Sequence, residues 1–383
     1  METMQPVLKR VLNSWNQSNM PEAEFQGRIK KIKEAMVERN IDVLLVYGSG
    51  NNEYGNPCYL SNSLMQTPKG GVLVAIPQKG EVALIPEASS RDLPDIKRIT
   101  WIEDIRPCGD ISRECIKYLN DKNLVLSTIG LVGLRQLMPY NQWQYFQESV
   151  KQSKTVDSDH IIRDIRMLKS QRECGQIRRS SRILSHAFKF ISDTLFHDMN
   201  ERIMEAIVDR EARLEGIEDF RMMVAKPLED KWAFRPAENR QMLPGETVII
   251  YLAAGYERYW SEGIRTFVVE NNRLMQPEFE NAEALYKRIM DGMKPGKTLS
   301  QFYRETIGEL QGSNFDYILE YGLGQGVGLS LQEFPIISEE DVTELKEGMS
   351  LTLRLVVQDR AVGVIMTGHT ICLAKDGIEV LTK

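Results

Sequence analysis

The stretch PGETVIIYLAAGYERYWSEGIRTF, residues 244–267, decides the fold of the second half of this chain. From Thr247 its apolar and β-branched residues form two runs, TVIIYLAAGYERYW and GIRTFVVE, which predict two successive strands. Two helical patterns follow, over 277–293 and 299–310, and then three strand-like runs, GLSLQEFPIIS, MSLTLRLVVQ and GVIMTGHTICLAK. Strands, then helices, then strands predict an α+β domain built on a curved antiparallel sheet.

The first half predicts a smaller α/β domain. A helical pattern over 22–40 leads into IDVLLVYGS, a buried strand by its length and β-branched content. GGVLVAIP and GEVALIPE are separated by a short polar turn, which predicts a hairpin. Strand and helix patterns then alternate to residue 156, and an amphipathic helix pair begins at 157. We therefore predict an N-terminal extension (1–20), the α/β domain (21–156) and the α+β domain (157–383).

Composition and charge exclude several classes of protein. The chain has 383 residues, 42% of them hydrophobic, and no run reaches the roughly eighteen apolar residues that a membrane helix needs. The first twenty residues lack the apolar core of a secretory leader. The formal net charge is −6 with both signs mixed, so no nucleic-acid partner is expected. Five cysteines without a C-x-x-C pair predict reduced thiols, no cysteine zinc site and a cytoplasmic location.

Four stretches of the second half resemble the creatinase/Xaa-Pro peptidase (prolidase) family, whose pita-bread fold is shared with methionine aminopeptidase. They are DIRMLKSQRECGQIRRSSRI (164–183), the stretch 244–267, GLGQGVGLSLQEFP (322–335) and the C-terminal run 347–383. The N-terminal half, with NPCYLSNS and the hairpin, resembles the leading domain of that family more loosely. The resemblance implies a small creatinase-like α/β domain followed by a pita-bread domain, and it implies a homodimer.

The peptidases of that family hold two divalent cations with two Asp, one His and two Glu. Two adjacent dications need several anionic oxygens, and they activate a water between them. The resemblance assigns these five ligand positions here, in the same order, to Tyr251, Glu262, Gln325, Arg354 and either Thr367 or Gly368.

Only Glu262 of this set is an anionic oxygen ligand. Arg354 brings a permanent positive charge to a place where a dication would lie, and like charges at about 4 Å in a partly buried site repel by several kcal/mol. We therefore predict no metal and no other cofactor. Instead, Glu262 is predicted to pair with Arg354, with further hydrogen bonds from Tyr251, Gln325 and Gln332.

The metal-free branch of the family offers another chemistry. Creatinase cleaves a C–N bond of a guanidino compound with a His as the base and carboxylates that bind the substrate, and Glu262 in SEGIRT resembles that branch. Phe234 stands at the position of the substrate-facing His, and His369 follows the last ligand position. The catalytic candidates are therefore Glu262 and His369. The candidates for substrate binding are Tyr251, Arg354, Gln325, Gln332, Phe234 and Glu333.

Three functions remain open from the sequence. The first is a metal-independent family member that acts on or binds a small nitrogen-containing compound (guanidino, methylated amine or peptide-like). The second is a non-catalytic pita-bread binding protein, and the third is an Xaa-Pro dipeptidase. The expected partner is a small molecule or short peptide. Glu262 and His369 within about 3.2 Å of each other favour catalysis, whereas a cavity filled by Phe234 or Trp232 favours the non-catalytic reading.

Overall fold

The computed structural model describes residues 15–49, 53–64, 70–195, 199–226, 233–270, 276–360 and 362–383. It divides into two compact units, Met1–Arg166 and Met167–Lys383. Residues 1–14 of the predicted extension lie outside the described residues. Within the described part of the chain, every helix is too short or too polar to cross a lipid bilayer.

The first unit is built around a six-stranded mixed sheet in the order β4-β3-β2-β1-β5-β6. The hairpin predicted from GGVLVAIP and GEVALIPE is confirmed as the antiparallel pair β2–β3, and β1 pairs in parallel with β5. Its elements are α1 Glu22–Glu38, β1 Val43–Ser49, α2 Gly55–Ser61, β2 Gly71–Pro77, β3 Ala83–Pro86, α3 Leu93–Ile99, β4 Asp104–Ile105, α4 Ile111–Asp121, β5 Thr128–Val132, α5 Leu134–Leu137, α6 Tyr140–Ser149, β6 Lys154–Asp157 and α7 Asp159–Met167.

The division between the units falls at Arg166, later than the predicted boundary at residue 156. The helix α7 follows β6 directly, and its Ile161 and Ile162 are buried. The Arg166 guanidinium also donates to the side-chain oxygen of Asn56 in the same unit. These contacts hold α7 with the first unit, and an amphipathic pattern in the sequence does not reveal which core the helix joins.

The second unit is an antiparallel sheet of nine strands with helices packed on one face. The main order is β12-β11-β13-β14-β9-β8-β7, with β10 paired to β13 and β15 to β14. The elements are α8 Gln171–Thr194, α9 Glu201–Leu214, β7 Asp219–Ala225, β8 Thr247–Tyr256, β9 Tyr259–Val268, α10 Gln276–Asp291, α11 Leu299–Gln311, β10 Asp316–Tyr317, β11 Gly324–Gly326, β12 Glu333–Ile336, β13 Ser350–Asp359, β14 Gly363–Ala374 and β15 Gly377–Val380.

Strand alternation gives this sheet two distinct faces. On β8, Val248 and Ile250 pack with α8 and α9, on what we name the helix face. Their neighbours Ile249 and Tyr251 point to the other side, which we name the inner face, where they pack with residues such as Trp260 and Met366. The helix face of β13 and β14 packs in the same way against α10 and α11. The α+β architecture predicted from the strand–helix–strand order is thereby confirmed.

One predicted strand is shorter in the structure than in the sequence pattern. GLSLQEFPIIS predicts a strand over 328–338, but β12 covers only Glu333–Ile336. The Glu333 carboxylate accepts a hydrogen bond from the Ser330 amide at 2.8 Å, which closes a turn before the strand. Pro335 has no amide proton to donate to a neighbouring strand. Local polar contacts therefore override an apolar alternation in this segment.

Candidate functional site

Glu262 lies on the inner face of β9 and is 2% exposed. Its backbone is fixed by Thr370 of β14, whose hydroxyl accepts from the Glu262 amide at 2.9 Å and donates to the Glu262 carbonyl oxygen at 2.8 Å. The backbone of Glu262 is therefore fixed by Thr370 of β14 and by its pairing with Ala253 of β8.

Three donors surround the Glu262 carboxylate. The Tyr251 hydroxyl donates to Oε2 at 2.6 Å. The Gln325 side-chain amide and the Arg354 guanidinium both donate to Oε1, at 3.2 Å and 3.0 Å. The ion pair predicted between Glu262 and Arg354 is confirmed, and so are the supporting hydrogen bonds from Tyr251 and Gln325. A carboxylate with this many donors is satisfied within the protein.

Arg354 joins the three segments that meet at this site. Its Nη1 donates to the Tyr321 carbonyl oxygen at 3.0 Å, and its Nη2 also donates to the Gln325 side-chain oxygen. Gln325 thus accepts from the guanidinium and donates to the carboxylate. The Arg354 Nε is buried and has no hydrogen-bond partner among the described residues. We name Tyr251, Glu262, Gln325 and Arg354 the ion-pair cluster.

Electrostatics keep the Tyr251 phenol protonated in this cluster. Burial raises the pKa of Tyr251 well above its ordinary value, and the Glu262 charge and hydrogen bond raise it further. The Arg354 charge acts in the opposite direction and is the smaller effect. Tyr251 therefore serves as a hydrogen-bond donor and does not supply an anionic oxygen near neutral pH.

Phe234 lies at the edge of the cluster. Its ring is 5.8 Å from the Tyr251 ring and 6.3 Å from the Tyr321 ring, measured between centroids. The following residue, Arg235, pairs with the buried Glu201 at 2.8 Å, and its backbone bridges to Val224 of β7. Phe234 is thus fixed as an aromatic side chain beside the cluster. By resemblance, it stands at the position of the family's substrate-facing His. Trp232 lies outside the described residues.

Gln332 and Glu333 take other positions. Gln332 is exposed and makes no hydrogen bond to the ion-pair cluster, which corrects its expected supporting role. Glu333 pairs with Lys169 at 2.9 Å, and both side chains are almost fully buried. A pair of this kind joins β12 to the start of α8, so Glu333 acts as a structural anchor here.

The structure does not bring His369 to Glu262. His369 lies on the helix face of β14, where its ring stacks on Tyr286 of α10 with centroids 5.5 Å apart. Its Nε2 meets an Arg265 nitrogen at 3.0 Å, and its Nδ1 contacts the Thr382 carbonyl oxygen. Burial, with a smaller contribution from the Arg265 charge, lowers the pKa of His369 to about 3. The expected proximity of the two catalytic candidates is therefore corrected, because they lie on opposite faces of the sheet.

Sheet register shows which of the two residues assigned by resemblance to the last ligand position faces the ion-pair cluster. Arg354 is directly opposite Gly368, and Gly368 in turn is opposite Ile264 of β9. Gly368 shares the inner face with the ion-pair cluster, whereas Thr367 lines a cavity on the helix face. Because Gly368 has no side chain, this position offers no ligand atom, and a Cβ built there would come within 3.2 Å of the Ile264 side chain.

These residues do not fit a pair of divalent cations. The five positions hold a protonated phenol, one carboxylate, an amide, a guanidinium and a glycine. The Arg354 guanidinium also donates to the Glu262 carboxylate oxygen that a cation would need as a ligand. No group of three or more His, Cys, Asp or Glu side chains with metal-binding geometry occurs in the described part of the chain. The donor set therefore favours an internal ion pair over metal ligation.

Two contributors to this site were not predicted from the sequence. Thr370 fixes the backbone of Glu262, and Tyr321 supplies a carbonyl oxygen to Arg354 and a ring to Phe234. Tyr321 directly precedes the glycine-rich GLGQG, and that proximity is the one signal that could have pointed to it. Thr370 carries no such signal, since its role depends on the pairing of β14 with β9.

Comparison with known proteins identifies two matched regions. Residues 175–375 match the model of metallopeptidase family M24, and residues 28–168 match the creatinase/prolidase N-terminal domain. The Xaa-Pro dipeptidase of Pyrococcus horikoshii is 27% identical over 364 residues, which are 93% of this chain and 97% of that protein. The Xaa-Pro dipeptidase of Pyrococcus furiosus is 26% identical, with 94% and 98% covered.

Solved structures show the same architecture. The crystal structure of the prolidase from Pyrococcus horikoshii has a TM-score of 0.79 at 23% identity, covering 93% of this chain and 98% of that one. The Xaa-Pro dipeptidase from Bacillus anthracis has a TM-score of 0.78 at 19% identity, covering 94% and 98%. At these identities the likeness supports the fold and leaves the chemistry to the side chains described above.

Proposed function

We propose that this chain, which belongs to metallopeptidase family M24, is a metal-independent member that binds a small nitrogen-containing or peptide-like compound without cleaving it. It has a creatinase/prolidase N-terminal domain and a pita-bread domain, so its active-site positions can be compared one by one with those of the family. One observation carries the proposal. Arg354 stands at a ligand position of the family and donates to Glu262, the one carboxylate of the set, at 3.0 Å.

The surroundings of Glu262 argue against a role as a general base. A base must accept a proton from a substrate or water within hydrogen-bond reach. Both carboxylate oxygens of Glu262 already accept hydrogen bonds, from Tyr251, Gln325 and Arg354. His369, the other catalytic candidate, lies on the helix face. The metal-independent C–N hydrolase considered from the sequence therefore has no base in the described cluster.

Binding is supported by the side of the cluster that faces Phe234. The rings of Phe234 and Tyr321 stand nearly perpendicular, at 89°, and Tyr251 lies beside them. Aromatic faces of this kind attract planar or cationic nitrogen groups. The Arg354 Nε is buried and has no partner among the described residues, so it can donate to a carbonyl or carboxylate oxygen of a ligand that displaces the side chains covering it. These features suit an amide, a guanidino compound or a short peptide.

A second function, Xaa-Pro dipeptidase, is favoured by the names of relatives that match nearly the whole chain. Dipeptidase activity requires that the ion-pair cluster opens and that two cations bind. Glu262 would then be the one carboxylate among the five ligand positions. The positive charge of Arg354 opposes this arrangement. The homodimer expected by resemblance and the cytoplasmic location expected from the cysteines stay predictions.

Elemental analysis and a peptidase assay separate the two functions. The purified protein, incubated with manganese and dialysed, is expected to hold far less than one metal ion per chain and to leave Xaa-Pro dipeptides intact. A matched variant restores four of the family's ligands through Tyr251→Asp, Glu262→Asp, Gln325→His and Arg354→Glu, leaves Gly368 unchanged because a Cβ there would crowd Ile264, and is expected to retain manganese. Two tightly held ions in the unmodified protein, with hydrolysis that Glu262→Gln abolishes, would overturn the metal-independent proposal.

A thermal-shift screen tests the binding role. Guanidino compounds, methylated amines and proline dipeptides are added with and without manganese, because a ligand that binds the native state raises its stability. We expect at least one class to raise the melting temperature without manganese, and Phe234→Ala to abolish that shift. Tyr140→Ala, at an exposed position in the other unit, is the control. A shift that requires manganese, or one that Phe234→Ala leaves unchanged, contradicts binding at this site.

A further inference from the structure

The helix face of the second unit holds a cavity of about 910 Å³. It is bounded by the end of α8, the second half of β9, α10, β14 and β15. The cavity lies across the sheet from the ion-pair cluster, because its wall includes Arg265, Thr367 and His369, which all point to the helix face. Volumes of this size accommodate a small organic ligand.

Arg265 is the cation of this cavity that is withdrawn from solvent, whereas Lys287 and Lys383 in the same lining are exposed. In the described chain its hydrogen bonds go to two neutral groups, the His369 Nε2 at 3.0 Å and the Thr382 carbonyl oxygen at 3.1 Å. Its guanidinium also lies 4.9 Å from the centre of the Phe188 ring. Burial lowers the pKa of Arg265, and the Tyr286 phenol and the Glu283 carboxylate oppose this shift more weakly. A positive charge withdrawn from water without a carboxylate in direct contact is costly, so an external anion stabilises it.

His369 is a neutral neighbour of Arg265 and does not compensate its charge. Because its Nδ1 contacts the Thr382 carbonyl oxygen, the proton belongs on Nδ1 and Nε2 is left to accept from Arg265. The pKa of His369, lowered to about 3, keeps the ring neutral at physiological pH. Arg265 has five N–H donors and uses two of them, so donors remain for a ligand.

The rest of the lining indicates which anion fits. Phe267, Phe279 and Ile378 give the cavity apolar walls, which favour a ligand with a hydrocarbon body. Apart from Arg265, the charged lining consists of three acids and two bases, so it carries a net charge of −1 that repels a dianion such as phosphate more than a monoanion; these residues are Glu270, Glu283, Asp291, Lys287 and Lys383. A guanidinium matches the planar geometry of a carboxylate.

We propose that this cavity is a second ligand site, separate from the ion-pair cluster, which binds a small organic monocarboxylate through Arg265 with its hydrocarbon part against the apolar walls. The site needs no metal and does not depend on the function proposed above. Its occupancy neutralises the guanidinium and adds apolar contacts between α10 and β9.

Thermal shift and calorimetry on the full chain test this site with hexanoate and phenylacetate, each compared with its uncharged amide and with phosphate. We expect both acids to raise the melting temperature, and the amides and phosphate to have little effect. Arg265→Gln is expected to weaken binding of the acids by about tenfold or more. Arg288→Gln on α10, whose guanidinium pairs with Glu309 at the surface, is the matched control and keeps the response.

A second variant keeps the test decisive if Arg265→Gln fails to fold. His369→Glu places a carboxylate beside Arg265, so it is expected to raise the melting temperature without ligand and to abolish the effect of hexanoate. The proposal is overturned if neither acid binds, if the amides or phosphate act as strongly as the acids, or if binding survives both Arg265→Gln and His369→Glu.

Discussion

Arg354 and Arg265 lie on opposite faces of the same sheet and have different surroundings. Arg354, on the inner face, pairs with Glu262 and shares a network with Gln325 and the Tyr321 carbonyl oxygen. Arg265, on the helix face, has a neutral imidazole and a carbonyl oxygen beside a cavity. A guanidinium next to an internal carboxylate is neutralised within the protein, whereas one with neutral partners can be neutralised by an external anion. Four measurements test this contrast.

The largest effect is expected from removing the inner carboxylate. Glu262→Gln leaves the Arg354 charge without its counter-charge, and we expect a loss of about 3 kcal/mol in the free energy of unfolding. The value stays at the lower end of the range because the Arg354 side chain retains 13% exposure. Urea denaturation measures it. The control is Glu379→Gln, whose partner Arg178 is exposed, with an expected cost of about 0–1 kcal/mol. Equal costs for the two variants would contradict the contrast.

Truncating the two arginines compares the faces directly. Arg354→Met leaves the Glu262 charge with two neutral donors. The expected loss in the free energy of unfolding is about 2 kcal/mol. Arg265→Met removes two hydrogen bonds together with an uncompensated charge, so the expected change stays within about 1 kcal/mol. Chemical denaturation of both variants decides the matter. If Arg265→Met were the more destabilising of the two, Arg265 would be a structural anchor with a fully satisfied charge.

Two buried tyrosines, one on each face of the sheet, give a finer comparison. Tyr251→Phe removes a hydrogen bond to a charged carboxylate, with an expected cost of about 1.5–2 kcal/mol. Tyr286→Phe on the helix face removes one to the neutral Leu353 carbonyl oxygen, which is 2.7 Å away, with an expected cost of about 1 kcal/mol. Thermal unfolding in matched buffers measures both. A larger cost for Tyr286→Phe would argue against a strong charge at Glu262.

The smallest effect is a dependence of stability on pH. The pKa of His369 is lowered to about 3 in the folded protein, against about 6.5 when unfolded. The unfolded state therefore binds more protons between these values, so the contribution of His369 is complete above about pH 6.5 and is lost as the pH falls towards 3.

We expect the unmodified protein to lose about 1 kcal/mol more than His369→Gln between about pH 7 and about pH 5.7. Denaturation curves at the two pH values provide the difference between the proteins, in which the acid sensitivity of other groups cancels. Parallel behaviour of the two proteins would show that the imidazole titrates normally and that the cavity wall is hydrated.

Much of the fold and part of the site follow from the sequence alone. The periodic patterns specify the strands and helices, since the spacing of apolar residues depends on local backbone geometry. The ordered motifs place Tyr251, Glu262, Gln325 and Arg354 at related positions, and opposite charges in one enclosed site have one favourable arrangement. The pairing of Glu262 with Arg354 was therefore predictable, although 92 residues separate the two in the chain.

Only the tertiary structure decided which face each residue of β14 takes. From the sequence, the last ligand position fell at Thr367 or Gly368, and a shift of one residue moves every side chain of a strand to the other face. The register of β14 against β13 places Gly368 opposite Arg354, and this sends His369 to Arg265 and the helix-face cavity. Register is set by pairing across strands that are distant in sequence, and no local pattern of residues contains that information.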